Sequence, residues 1–147
     1  FWAGSLSHNG LTGCGRAGDW ACRQLEHELG GMFDVTHGAG LAAVWGSWAR
    51  YVYKADVARF AKLAVDVLGV PYDYADPERT ALEGIEAMED FFRSIHMPVS
   101  IRELGVELTD AQIEELAYKC SFKETRTIGG VMALGRKDIE EIYRMAR

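Results

Sequence analysis

Apolar positions along this chain recur at three- and four-residue spacing, and period-two alternation never persists for more than a few residues. That pattern predicts helices and no sheet. Residues 1–11 (FWAGSLSHNGL) read as the end of a helix, and Gly10 to Gly18 breaks it with four glycines in nine residues. Asp19 offers an N-cap side chain to a helix with apolar positions Trp20, Cys22 and Leu25, which stops at Gly30-Gly31. Thr36 then caps a long helix running to about Lys54. Its Leu41, Ala42, Val44, Trp45, Trp48, Ala49 and Val52 leave it apolar on most of its circumference, which predicts the central buried helix.

A helix from Asp56 to Leu68 carries Val57, Phe60, Ala61, Ala64, Val67 and Leu68 on one face, with Gly69 and Pro71 ending it. Asp76-Pro77 supplies a cap and a first-turn proline to a helix whose inward positions are Ala81, Leu82, Ile85, Met88, Phe91, Phe92 and Ile95. Pro98 forces an extended connector, and Ile101 to Leu104 is one short turn before Gly105. Thr109-x-x-Gln112 is a capping box opening a helix with Ile113, Leu116, Ala117 and Cys120. Residues 121–134 read as an ordered loop. Asp138 to Met145 closes the chain as a helix with Ile139 and Ile142 inward. The fold class is all-α, a multi-helical single domain over residues 1–147.

Composition narrows the function classes. The net charge is −6 with no basic stripe, so the phosphate attraction that nucleic-acid binding requires is missing. No apolar run approaches the roughly 18 residues of a membrane span, and no signal peptide is visible. Cys14, Cys22 and Cys120 are odd in number and lack CxxC spacing, which reads as reduced thiols in a cytoplasmic protein. The opening Phe1-Trp2 looks like helix interior, the expectation being a piece of a longer protein.

Two familiar motifs fail on inspection. Gly13-Cys-Gly15-Arg-Ala-Gly18 fits GxGxxG, but the dinucleotide fingerprint needs a strand before it and a βαβ unit around it, and SLSHNGLT is no buried strand. His27-Glu28 begins like HExxH, yet Gly31 stands where the second histidine must be. Cys22 has no charged activating pair, and His8 and His96 belong to no ligand cluster. His37 differs. It falls in the first turn of the central helix, at the positive dipole end that disfavours a cation, and Gly38 and Gly40 clear space around it. On the preceding helix Arg23 and His27 stand four apart and share a face.

The segment HNGLTGCGRAGDWACRQLEHELGGMFDVTHGAGLA, with WARYVY, FFRSIHMPVSIRELGV and the terminal DIEEIYRMA, resembles the C-terminal helical domain of iron-containing (group III) alcohol dehydrogenases, in their butanol dehydrogenase-like branch. The same helical domain occurs in dehydroquinate synthase-like proteins. The resemblance implies a two-domain oxidoreductase in which an N-terminal domain binds NAD(P) and the helical domain holds Fe²⁺ or Zn²⁺. An aspartate and three histidines hold that metal in the family, the last two histidines fourteen residues apart. His37 matches the last of these. His27 matches the family histidine beside nicotinamide and substrate, a catalytic and cofactor-binding role. The aspartate and first histidine have no counterpart in residues 1–147.

The position fourteen before His37 is Arg23, where the family has histidine. A guanidinium has no lone pair to offer and repels a divalent cation. The expectations are therefore a metal- and substrate-side domain of an enzyme interconverting primary alcohols and aldehydes, inactive alone and holding neither metal nor NAD(P) tightly. Its partners would be the alcohol or aldehyde, the missing cofactor domain and, for self-association, a second copy. Trp20 and Phe33 would line the apolar part of the pocket. The rival expectation is a non-catalytic helical module for assembly or for binding a small anion at Arg23 and His27.

Overall fold

The computed structural model describes all residues, 1–147. Seven α-helices follow one another: α1 Trp2–His8, α2 Ala21–Phe33, α3 His37–Val52, α4 Val57–Asp66, α5 Pro77–Ser94, α6 Asp110–Cys120 and α7 Arg136–Ala146. Short 3-10 turns lie at Leu11–Gly13, Tyr53–Ala55 and Arg102–Leu104. There is no strand beyond an isolated antiparallel bridge between Ile128 and Leu134. The all-α expectation holds.

The central helix is α3, packed by α2, α5 and α7. It buries Ala42, Ala43, Val44, Trp48, Ala49 and Val52, as its near-continuous apolar surface predicts. Asp56 and Asp76 accept from the backbone N–H groups of Arg59 and Arg79, starting α4 and α5 as expected. Thr109 and Gln112 form a complete capping box on α6. Helices α4 and α5 touch closely because Gly84 faces Ala64, where a methyl group would meet the Ala64 backbone. An ion pair locks α5 onto α3: Arg50 donates from both terminal nitrogens to Glu89 at 2.7 and 2.6 Å, and Gly46 leaves room for that carboxylate. Asp138 joins α7 to α3 by accepting from the Tyr51 hydroxyl, and its other oxygen caps α7 by accepting from the Gly135 N–H.

Several sequence expectations shift. Helix α2 runs through Gly30-Gly31 and ends only at Asp34, whose left-handed backbone (φ 52°) turns the chain; two glycines inside a packed helix cost less than its core contacts supply. Thr36 takes the N-cap position of α3 but its side chain makes no capping bond. Asp19 does not sit at the N-cap, which is Trp20. Its carboxylate instead accepts from Ala21 N–H at one oxygen and from the Gly130 and Val131 N–H groups at the other, at 2.8 and 2.9 Å. It thus pins the late glycine loop to the start of α2. Leu82, Phe91, Ile95, Val67 and Trp20 follow the apolar pattern yet are exposed, and α1 buries no residue.

Candidate active site

Helices α2 and α3 form an antiparallel hairpin through Asp34–Thr36, and that hairpin brings the histidines together. Their ring centroids are 5.5 Å apart. Glu26 and His27 lie one turn after Arg23 on α2, and His37 opens α3 across from them.

A residue that the sequence reading passed over sets the geometry. Glu26 is buried, 2 % exposed, and its carboxylate accepts a hydrogen bond from His37 Nδ1. The slot holding it is made by two glycines. A Cβ on Gly40 would stand 2.7 Å from Glu26 Cγ, and one on Gly30 would stand 3.1 Å from Glu26 Oε1. Gly40 therefore clears space for Glu26 rather than for a ligand, while Gly38 does face open space. The signal was present in the sequence as small residues on two facing helices around an acid. A carboxylate on Nδ1 fixes the ring orientation and leaves Nε2 as the outward lone pair.

His27 is exposed, and Arg23 Nε donates to its Nε2 at 3.4 Å. The guanidinium of Arg23 also lies over Trp20, 5.4 Å from the ring centroid. A cleft of about 430 Å³ opens beside this pair, walled by the N-cap Trp20, by Arg23, His27 and Glu28 of α2 and by Phe122 and Arg126 beyond α6. Trp20 lines it as expected. Phe33 does not; it packs against the hydrophobic core. His8 and His96 are exposed and remote from any ligand cluster. The Gly13–Gly18 loop is followed by α2 and touches no strand. Burial pushes the Cys22 thiol well up, with Asp19 adding to it, so Cys22 is no nucleophile.

Over residues 7–147 the chain matches the sequence model of the Fe-containing alcohol dehydrogenase family, C-terminal. The chain belongs to that family, as its C-terminal domain. It is 31 % identical over 144 residues to NADH-dependent butanol dehydrogenase A of Clostridium acetobutylicum, an alignment spanning 97 % of this chain and 36 % of the relative. The crystal structure of NADH-dependent butanol dehydrogenase A from Thermotoga maritima superposes with a TM-score of 0.87 at 31 % identity, covering 99 % of this chain and 37 % of the other. YqhD of Escherichia coli K-12 superposes at 0.88 and 25 % identity, covering 99 % and 36 %. The chain spans about a third of the length of the relatives it matches.

The family name implies iron, and the side chains present do not fit it. Ligand-type atoms of Glu26, His27 and His37 lie within 4.8 Å of one another. Yet Glu26 is engaged with His37, and His27 Nε2 already accepts from a permanent cation. Only His37 Nε2 remains as an uncommitted imidazole donor. A divalent ion reaching it would find the facing His27 already bonded to the Arg23 guanidinium, a fixed positive charge.

Proposed function

We propose that this chain is the substrate-side helical portion of an NAD(P)-dependent dehydrogenase of the butanol type, interconverting primary alcohols and aldehydes, and that it does not turn over by itself. The observation that supports this reading most directly is the facing pair His27 and His37 on the α2–α3 hairpin, with His27 lining an open cleft. It lies within a segment matched along its whole length by butanol dehydrogenases.

In this reading His27, exposed at the cleft mouth, orients the substrate oxygen or the nicotinamide and carries a proton at its ring nitrogen. Glu26 holds the His37 ring in one orientation. Trp20 and Phe122 give the cleft its apolar surface and exclude water from the alkyl part of the substrate. Hydride would come from a nicotinamide held by a separate cofactor domain. That domain is the first partner proposed, and the exposed Trp20 belongs to the face it would cover. Left uncovered, such apolar surface drives self-association, readable by sedimentation; a monomer would contradict that part.

The test is a reduced-nicotinamide assay with butyraldehyde on the 147-residue chain and on a longer polypeptide that adds the sequence encoded upstream of Phe1. No turnover is expected from the first. The upstream sequence is expected to encode an α/β domain with a glycine-rich loop. Turnover by the short chain at a complete relative's rate, or an upstream sequence without such a domain, would overturn the proposal.

A further inference from the structure

The cleft that His27 borders is walled by two arginines held in the same way. Arg23 spends its Nε on His27 Nε2 and lays its guanidinium over Trp20. Arg126 spends its Nε on the Cys120 carbonyl at 3.0 Å and lies over Phe122, 3.2 Å from the ring centroid. Each side chain is thus fixed by one nitrogen and by its flat face. In each the two terminal nitrogens make no hydrogen bond or ion pair within the protein. Most arginines elsewhere behave differently: Arg50, Arg79 and Arg136, for example, are each bonded to a carboxylate.

The backbone around Arg126 has an unusual shape. Phe122, Lys123 and Glu124 are three consecutive non-glycine residues in the left-handed region, at φ 48°, 58° and 65°. Such residues are uncommon and cost free energy unless their surroundings hold them. Here the turn is closed by Lys123 N–H to the Tyr118 carbonyl and Arg126 N–H to the Ser121 carbonyl. Its result is to set the Phe122 ring beneath the Arg126 guanidinium at the cleft wall.

Two guanidinium groups face this cleft against one carboxylate, Glu28. The balance is positive in a chain of net charge −6. Preorganised terminal nitrogens of arginine match carboxylate and phosphate oxygens in a forked geometry. The volume, about 430 Å³, exceeds what a bare ion needs and lies in the range of small-molecule sites.

We propose that this cleft binds the oxyanion of a small organic ligand, a carboxylate or a phosphate ester, between Arg23 and Arg126. Trp20 and Phe122 contact its apolar body, and Glu28 disfavours a second anionic arm. The replacement of a metal-ligating histidine by Arg23 then exchanges a cation site for an anion site on the same helical face. This goes beyond the dehydrogenase reading and does not depend on turnover.

The experiment is calorimetric titration of the 147-residue chain at low salt with butyrate and, separately, with n-butyl phosphate. Saturable binding of at least one is expected; butyrate alone would assign a carboxylate ligand, the ester alone a phosphate. Arg23→Gln and Arg126→Gln are each expected to weaken that binding by about tenfold or more, and Arg23→Lys and Arg126→Lys by less. Arg16→Gln, outside the cleft, is expected to leave it unchanged. Circular dichroism identifies any variant that fails to fold, and the lysine variants and the other arginine then decide. Absence of saturable binding by both probes, binding that survives loss of either arginine, or an equal loss in Arg16→Gln would overturn the proposal. Since binding is read without nicotinamide, these outcomes leave the dehydrogenase reading to its own assay.

Discussion

The buried Glu26 carboxylate accepts from Nδ1 of His37 across the α2–α3 hairpin, in a slot that Gly30 and Gly40 leave open. One relationship thus fixes the hairpin's packing and the direction in which His37 presents its remaining nitrogen. A methyl group on Gly40 would press on Glu26 Cγ at 2.7 Å. Gly40→Ala should therefore lower the urea midpoint, an overpacking cost of about 1–3 kcal/mol outweighing the ~1 kcal/mol of helix propensity that alanine gains. The paired substitution Gly40→Ala with Glu26→Ala should show a positive coupling, less destabilising than the sum of the singles. Strict additivity would show that Glu26 is not what Gly40 accommodates.

The Arg50–Glu89 pair gives a second stability prediction. Glu89 is buried, whereas the Arg50 side chain is about a third exposed. Removing the carboxylate by Glu89→Ala leaves a half-buried guanidinium unpaired. The cost for a fully buried pair, about 3–5 kcal/mol, should be reduced by solvent at Arg50 to roughly 1–3 kcal/mol. Denaturant unfolding of Glu89→Ala reads it directly; an unchanged midpoint would mean that the pair does not hold α5 to α3.

Alkaline pH should weaken the fold through tyrosine. The hydrogen bond from the Tyr51 hydroxyl to Asp138, with burial and that carboxylate's charge, pushes the phenol up to about 12, against about 10 in an unfolded chain. A folded-state value above the unfolded one means stability fully present below pH ~10 and lost as pH rises toward about 12. Tyr51→Phe should flatten that loss. Tyr143, wholly buried and pushed in the same direction, remains in the variant, so the difference between the two pH profiles is the measured quantity. Superimposable profiles would contradict the assignment.

Tyr143 also donates to the Leu25 carbonyl at 2.7 Å, tying α7 to the helix that carries Arg23 and His27. Tyr143→Phe keeps the ring and loses only that bond. A destabilisation of about 0.5–1.5 kcal/mol is expected, with the ring's packing and the helical content retained by circular dichroism.

Much of this architecture was legible in the residue pattern, because caps and periodicity are local. Asp56, Asp76-Pro77 and the Thr109 box start their helices where the sequence places them, and the apolar circumference of α3 identified the central helix. What was missed depends on contacts between distant residues. Asp19 bonds to Gly130 and Val131 more than one hundred residues away, so its local role as an ordinary cap was the wrong inference. Gly30-Gly31 looked like a stop, but tertiary packing carries α2 past it. Trp20, Leu82 and Phe91 fit the helical stripe yet face outward, since periodicity marks a face without saying what covers it.

The same division holds at the site. Arg23, His27 and His37 are all recoverable from spacing and resemblance, and the hairpin places them together. Glu26 and Arg126 are not. Their functions arise from a glycine slot, marked in the sequence only by small residues around an acid, and from a left-handed turn at Phe122–Glu124, which has no sequence signature of its own.

By its resemblance to the family, Arg23 is inferred to stand on a metal-ligand position, which would leave this wall of the site without a metal-holding set. Zinc titration of the purified, chelator-treated chain, wild type against Arg23→His, tests it most directly, with elemental analysis of the untreated protein alongside. Well under one ion per wild-type chain and weak Zn²⁺ binding are expected, tightened in Arg23→His by the second imidazole while remaining short of a four-ligand site. One tightly held ion per wild-type chain, unaffected by substitution at Arg23, would contradict it.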